Sequence, residues 1–377
     1  MNIYKITKLE IIDTLKVASK NNKINIPDSL DHISVDSAPE KFDSDLSTNV
    51  AMVLSKLNEK SPIDLAQDIK NLLINNKYIK EIKIEKPGFI NFSFNQEFWN
   101  NFVNNALDQK YNYGSTLDET KNKYLIEFVS ANPTGPLHVG HCRGAIIGDV
   151  ISNLLKFNKH NVYKEYYVND NGKQIYHFVK SIFLRIKEIN DKKPFPLNDP
   201  DLYPGEYLIN IAQQIIRKNK DLKFDEFKKI QHKLTKLSIS ESLQLIRQNL
   251  QNLGIKHDNY ASENDIVNNN EVEKVVEKLT KDNFIYKGKI KAPEGENNSD
   301  WLEREQLLFK STAFGDDKDR ALQKNDKSWT YFATDVAYHN NKINRNYNIL
   351  INILGADHAG YIKRITSVVE ALSKKKS

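Results

Sequence analysis

The sequence predicts a doubly wound, Rossmann-like α/β nucleotide fold, split by a helical insertion and preceded by a small α+β domain. Three observations carry this expectation. Residues 123–157 pass from a short β-rich run through a proline- and glycine-rich loop into a helical pattern, the way such folds open. After a long helical stretch, a strand–loop–helix pattern returns at 328–361. Ahead of both, residues 1–112 carry strand and helix signals of their own.

In the N-terminal part, Ile11, Leu15 and Ala18 fall at helical spacing, and Ala51, Leu54 and Leu57 suggest a second helix. "IKEIKIEKPGFINFSF" (79–94) alternates apolar and polar residues, breaks at Pro87-Gly88 and resumes, a hairpin signal. A polar segment then leads into a second domain, 113–377. There Leu125–Val129 is a short strand-like run, and Ala145, Ile146, Val150 and Leu154 lie near one helical face. "NVYKEYYVND" (161–170) supplies a second strand. The insertion is expected over about 174–290, with Tyr207, Ile211 and Ile215, Ile230 and Leu234, and Ile246 and Leu250 repeating by four. No short-period internal repeat is present.

Composition narrows the class. With 377 residues, 39% hydrophobic and 28% charged, the chain can fill two or three ordinary globular domains. No apolar run approaches the roughly 18 residues of a membrane helix, and the N-terminus lacks a signal-peptide apolar block. The single cysteine, Cys142, excludes an internal disulfide and a cysteine-based zinc knuckle; it reads as a small buried residue of a cytoplasmic protein. The net charge of +6, from 55 basic and 49 acidic residues, suits an anionic partner such as nucleic acid. It equally suits a lysine-rich surface, so charge alone decides nothing.

The stretch "SANPTGPLHVGHCRGAIIGDV" (130–150) sets His138 and His141 three residues apart at the mouth of a helix. A zinc-protease site would space its histidines by four with a glutamate between; here Val139 and Gly140 intervene. Core-packing histidines would leave the Asn132-Pro133-Thr134-Gly135-Pro136 loop unexplained. Phosphate binding fits better. A helix N-terminus offers free N–H groups and a positive dipole end. Gly140 lets a ring or phosphate approach the backbone, and imidazole donors can stabilise charge developing on phosphorus. Neither a G-x-x-x-x-G-K-[ST] loop nor G-x-G-x-x-G occurs in the chain.

"HVGH" (138–141) resembles the His-Ile-Gly-His signature of class I aminoacyl-tRNA synthetases. The blocks around it resemble arginyl-tRNA synthetase: "IEFVSANPTGPLHVGHCRGAIIGDVISNLL", "EYYVNDNGKQI", "FGDDKDRALQKNDKSWTYFATDVAYHNNK" and "INILGADHAGYIKR", in that order. "DLSTNVAMVLSK" and "KPGFINF" resemble that family's N-terminal domain. The likeness runs along essentially the whole chain.

The resemblance implies an arginine–tRNA ligase of protein synthesis. Arginine and ATP would give arginyl-adenylate and pyrophosphate, and the arginyl group would pass to the tRNA 3′ end. ATP with Mg2+ is then a substrate complex, with no tightly bound cofactor, no metal-ligating set and no membrane partner, in a monomer. His138 and His141 would be catalytic. With Pro133, Thr134, Gly135, Pro136, Leu137, Gly140, Gly355, Asp357 and His358 they would bind ATP. A guanidinium asks for carboxylates in paired geometry. Glu127, Ser130, Asn132, Tyr331, Asp335 and Asp357 would bind arginine, the Tyr331 ring covering the guanidinium face four residues before Asp335. Asp170 and Gln174 would shape the pocket. Phe89 and Asn91, on one face of a strand, would stack on and hydrogen-bond a base of the tRNA elbow, or belong to an ordinary hairpin. The family's second histidine is Ala359 here, and a usual glycine is Lys327.

A Lys-Met-Ser-Lys-Ser-like loop, expected a few tens of residues past "GADHAGY", does not occur before Ser377. The alternative expectation is therefore a truncated, catalytically incomplete fragment that binds arginine and ATP, or tRNA. A different class I synthetase fits less well, because Glu127 and Asp335 suit a guanidinium.

Overall fold

A computed structural model describes residues 2–115, 121–289, 305–324 and 326–374, except for the side chains of 357–359. The chain divides into two compact units, residues 1–116 and 117–377.

The first unit is an antiparallel sheet in the order β1 (Val35–Ser37), β2 (Leu46–Thr48), β4 (Phe89–Phe94), β3 (Ile79–Glu85). Helices α1 (Ile3–Lys20), α2 (Val50–Leu54) and α3 (Pro62–Leu73) bury their apolar faces with it, and α4 (Gln96–Gln109) follows β4. Asn2, Ser61 and Asn95 each cap a helix by accepting from a backbone N–H three residues on. Ile11, Leu15 and Ala18 are buried as their spacing requires. Leu57 is exposed, because α2 ends at Leu54. The β3–β4 hairpin closes on the pair Glu85–Phe89, around Pro87-Gly88. A methyl group at Gly88 would meet Pro62 Cβ at 2.6 Å, so only glycine lets the turn lie on the start of α3.

The second unit holds a parallel sheet in the order β11 (Ile349–Asn352), β5 (Lys123–Glu127), β6 (Asn161–Val168), β7 (Asn259–Ser262). The doubly wound expectation holds. The chain steps outward from β5 through β6 to β7, then returns to the other side of β5 as β11. A topological switch point therefore lies between the carboxyl ends of β5 and β11.

Helix α5 (Val139–Phe157) joins β5 to β6, but not by the face its apolar residues suggest. Ala145, Gly148 and Ser152 are its buried positions; Ile146, Val150 and Leu154 are exposed. The Phe128 ring lies so close that a Cβ on Gly148 would fall 2.2 Å from its Cγ. Small side chains make the closest approach to the sheet, with Ile151 and Leu155 packed half-buried beside them.

The helical insertion is shorter than expected. Its helices are α6 (Lys173–Asp191), α7 (Tyr207–Lys218) and α8 (Phe227–Asn252), which share a core of Phe178, Ile182, Ile211, Ile215 and Leu234. At 259–262 the chain re-enters the parallel sheet as β7, a four-residue run too short to show a period. Then come α9 (Glu263–Asn268), α10 (Glu271–Lys281) and β8 (Ile285–Gly288). β8 pairs with β9 (Gln306–Phe309), and β9 with β10 (Arg320–Ala321), in an antiparallel sheet that the sequence did not announce. Helices α11 (Tyr331–Asn344) and α12 (Ile362–Ser373) complete the unit.

A partly buried ion pair ties the C-terminal end of α11 to the parallel sheet. Glu165 on β6 accepts from both terminal nitrogens of Arg345 at 2.6 and 2.7 Å, from the Tyr338 hydroxyl and from Asn259. Burial pushes its carboxyl up, but these donors outweigh that and hold it below the usual range.

Candidate functional site

Eleven residues after β5 bring the chain to Val139, the first residue of α5. They begin with a sharp turn: Val129 and Ser130 both have positive φ, +71° and +43°, strained for side chains other than glycine. Ser130 holds the turn, accepting from Tyr167 N at 3.0 Å and donating to Glu127 Oε1 at 3.1 Å. Asn132 is exposed and joined to Asn169 and Gln174 through its amide. Pro133 is buried, Thr134, Gly135 and Leu137 are half-buried, and Pro136 is exposed.

The histidines turn out to be the cap of α5. His138 Nδ1 accepts from Gly140 N at 3.1 Å, His141 Nδ1 accepts from His138 N at 3.3 Å, and the two rings stack 3.7 Å apart. A neutral imidazole that accepts at Nδ1 carries its proton on Nε2. Both rings thus keep an Nε2–H donor at the helix start, where the N–H groups of His138 and Gly140 are taken by the imidazoles and those of His141 and Cys142 by the His138 carbonyl. Burial, then the charge of His138, pushes the His141 imidazole down, favouring this neutral form. Cys142 is half-buried rather than buried.

Asp335, Glu263 and Asp170 form a group of acids with no ion-pair partner among the described residues. Asp335 on α11 accepts from the Tyr361 hydroxyl. Burial raises its carboxyl to about 6; the Tyr361 hydrogen bond opposes the rise and the charge of Glu127 adds to it. Glu263, the first residue of α9, is 2% exposed and its Oε2 has no partner. Burial, followed by the charge of Asp335, raises it to about 7. Asp170 accepts from Ser262 Oγ at 2.7 Å and Asn264 N at 2.9 Å, and burial pushes it up too. The Tyr167 hydroxyl among them is buried and unpartnered.

Tyr331 does lie four residues before Asp335 on α11. Its hydroxyl reaches Gly172, where a Cβ would come within 3.0 Å, and the ammonium of Lys324 sits 5.4 Å from its ring centroid. The Glu127 carboxylate accepts from the fully buried Lys342, which also donates to Asn352 Oδ1 at 2.9 Å. Among the described residues Asp335, Glu263 and Asp170 have no ion-pair partner, Asp170 being held by Ser262 and Asn264 instead. The sequence hid Glu263 because "NYAS" before it gave no strand signal, so nothing marked an acid at a strand's carboxyl end.

The backbone of Ala356–Tyr361 forms a 3-10 turn after β11, and Gly355 is exposed. The side chains of Asp357 and His358 lie outside the described residues. Beside Asp170 opens a cleft of about 870 Å³ whose α8 wall carries Lys228, His232, Lys236 and Arg247. In the first unit, Phe89 and Asn91 line one cavity of about 320 Å³ with Lys41 and Phe42. Asn91 is 1% exposed, and neither its Oδ1 nor its Nδ2 has a partner. Ile90 and Phe92 point into the core. Among the described residues no cluster of three or more His, Cys, Asp or Glu is placed to hold a metal, and no helix is long and apolar enough to cross a membrane.

Residues 102–373 match the catalytic domain of the class I tRNA synthetases (R), and residues 8–94 match the arginyl-tRNA synthetase N-terminal domain. The chain belongs to the arginyl-tRNA synthetase family. Arginine–tRNA ligases of Pelagibacter ubique and Rickettsia canadensis are 62% and 42% identical to it across 99% of its residues. It spans 65% and 64% of their lengths. The solved arginyl-tRNA synthetase of Plasmodium falciparum superposes with a TM-score of 0.64 over 98% of this chain and 62% of that one. At 19% identity that is a likeness of fold. Within this family frame, the switch point, the capped α5 and the acid group lie in the catalytic-domain segment.

Proposed function

We propose that this chain carries the arginine- and ATP-binding parts of an arginine–tRNA ligase of protein synthesis. The observation that carries the reading is the pair of buried carboxylates, Asp335 and Glu263, neither of which has an ion-pair partner among the described residues, although the charges of Lys342 and Lys324 act on them from a distance. Two acids so buried stay protonated in part; a guanidinium would let both ionise. Arginine suits them because its planar fork stays charged at any physiological pH and can donate to two carboxylates at once. The Tyr167 hydroxyl lies within reach of the charges of both acids; Tyr331 would cover the guanidinium face and Asn132 would take the α-amino or carboxylate end.

ATP, with Mg2+ as part of the substrate complex, would lie at the start of α5. There the Nε2–H groups of His138 and His141 and the positive end of the helix dipole meet the phosphates. Gly140 would lie under the adenine side, and the 355–358 segment near the ribose. The arginine carboxylate oxygen attacks the α-phosphorus in line; the bond to the β-phosphate oxygen breaks and pyrophosphate leaves with its electron pair. The adenylate's acyl carbon is then attacked by a tRNA 3′-terminal hydroxyl, whose proton is lost as AMP departs. This chemistry needs positioning and charge stabilisation more than a covalent catalyst. Removing one histidine donor should slow adenylate formation by about 10²–10³.

In the N-terminal unit, the orphaned amide of Asn91 beneath the exposed Phe89 suits a flipped-out base: the ring stacks and the amide reads an edge. The basic wall of the 870 Å³ cleft would suit the RNA strand approaching the active site. The test is calorimetric titration of this chain with arginine, citrulline and lysine. Arginine alone should bind, and Asp335→Asn should abolish it. Equal binding of citrulline, which keeps the shape but lacks the charge, would refute the carboxylate-pair reading.

A further inference from the structure

The loop between β5 and α5 is held from outside as well as from its own ends. Tyr207, the first residue of α7, donates its hydroxyl to the Thr134 carbonyl at 2.5 Å. Its ring tip closes over Gly135: a methyl there would stand 3.3 Å from the hydroxyl oxygen. Three residues after Thr134, the Leu137 N–H donates to Asn249 Oδ1 at 3.2 Å. Asn249 lies on α8, beside Leu250, which is packed into the core under the sheet. Leu137 is the residue before His138, the α5 cap. Each of these bonds goes to the main chain, so each fixes where the loop backbone runs.

We propose that Tyr207 and Asn249 are positioning residues for the nucleotide. Through them the helical insertion sets the Thr134–Leu137 loop and, with it, the His138–His141 helix start. The inference rests on the reading of that helix start as the ATP site, and neither residue is asked to touch ATP. α6, α7 and the first part of α8 share one apolar core, so they move together. A displacement of those helices, whose cleft wall bears Lys228, His232, Lys236 and Arg247, reaches the loop through two hydrogen bonds. A shift of about 1 Å in such a loop is enough to spoil a phosphate-binding geometry.

The test is titration of this chain with a non-hydrolysable ATP analogue plus Mg2+, and separately with arginine. The proteins are the wild type, Tyr207→Phe, Asn249→Ala and Asn249→Asp. Losing one main-chain hydrogen bond should weaken the analogue by about three- to tenfold, while arginine affinity stays within twofold. Asn249→Asp retains an acceptor oxygen and should restore the analogue. Unchanged analogue affinity in Tyr207→Phe and Asn249→Ala would overturn the inference. So would equal losses for arginine and the analogue together with a lowered melting temperature, the mark of a merely structural role. A wild-type chain that binds neither ligand would instead overturn the functional reading on which the inference stands.

Discussion

The ammonium of Lys342 on α11 is bonded to the carboxylate of Glu127 at the end of β5, and both groups are buried. This pair joins α11 to β5 beside the switch point, and it gives Glu127 a cation within the chain. Taking away one partner leaves a bare charge in a low-dielectric interior. Lys342→Met should therefore cost about 3–5 kcal/mol of unfolding free energy. Adding Glu127→Gln to it should recover most of the loss. Urea denaturation of the two variants checks the sign and the coupling.

Asp335 and Glu263 give a slope of stability with pH. Their folded values, about 6 and about 7, lie above the ordinary carboxylate range. The folded state therefore holds more protons than the unfolded one between about pH 4 and 7, and stability falls as pH rises through that window. Asp335→Asn and Glu263→Gln should each raise the melting temperature of the ligand-free chain at pH 8 and change it little at pH 4.5. Together they should add about 2–5 kcal/mol at the higher pH.

Tyr361 adjusts the same carboxylate. Its hydrogen bond holds Asp335 lower than burial alone would, so Tyr361→Phe should raise the acid further. Arginine binding should weaken several-fold at pH 6, where Asp335 would then be largely protonated, and less at pH 8. A pair of titrations at the two pH values measures the difference.

How much of this was visible in the sequence depends on the kind of signal. The strand–loop–helix around His138 and His141 was legible, because turn residues and apolar periodicity both marked it. The placement of Asp335 and Tyr331 on one helix was legible through their spacing. The burial of Glu263 was not, since a four-residue strand has no measurable period. The pairing of Glu127 was hidden for a related reason: its partner Lys342 lies 215 residues away, and only the register of β5 against β11 and α11 brings them together. The face of α5 was misassigned because Gly148 and Ser152 carry too little apolar surface to register as a core.

That seating makes a steric prediction. Gly148→Ala places a methyl inside the Phe128 ring contact. Overpacking should destabilise the second unit by about 1–3 kcal/mol. A melt followed by circular dichroism reads the shift.

Asn91 should show a trade between stability and binding. Its amide is buried and unpartnered, so Asn91→Leu, of similar volume, should stabilise the chain by about 1–2 kcal/mol. The same change should weaken tRNA binding, because the group proposed to read a base is gone. A denaturation curve and a filter-binding titration settle the two halves separately.

The central claim is that the pocket is an acid pair completed by the substrate's own cation. Arginine calorimetry at pH 6 in two buffers of different ionisation enthalpy tests it most directly. With Asp335 near 6 and Glu263 near 7 in the empty pocket, binding should expel about one proton per arginine. The release should fade by pH 8 and fall by more than half in Glu263→Gln, which keeps Asp335. Arginine binding with the same heat in both buffers, and so no proton released at pH 6, would contradict the account.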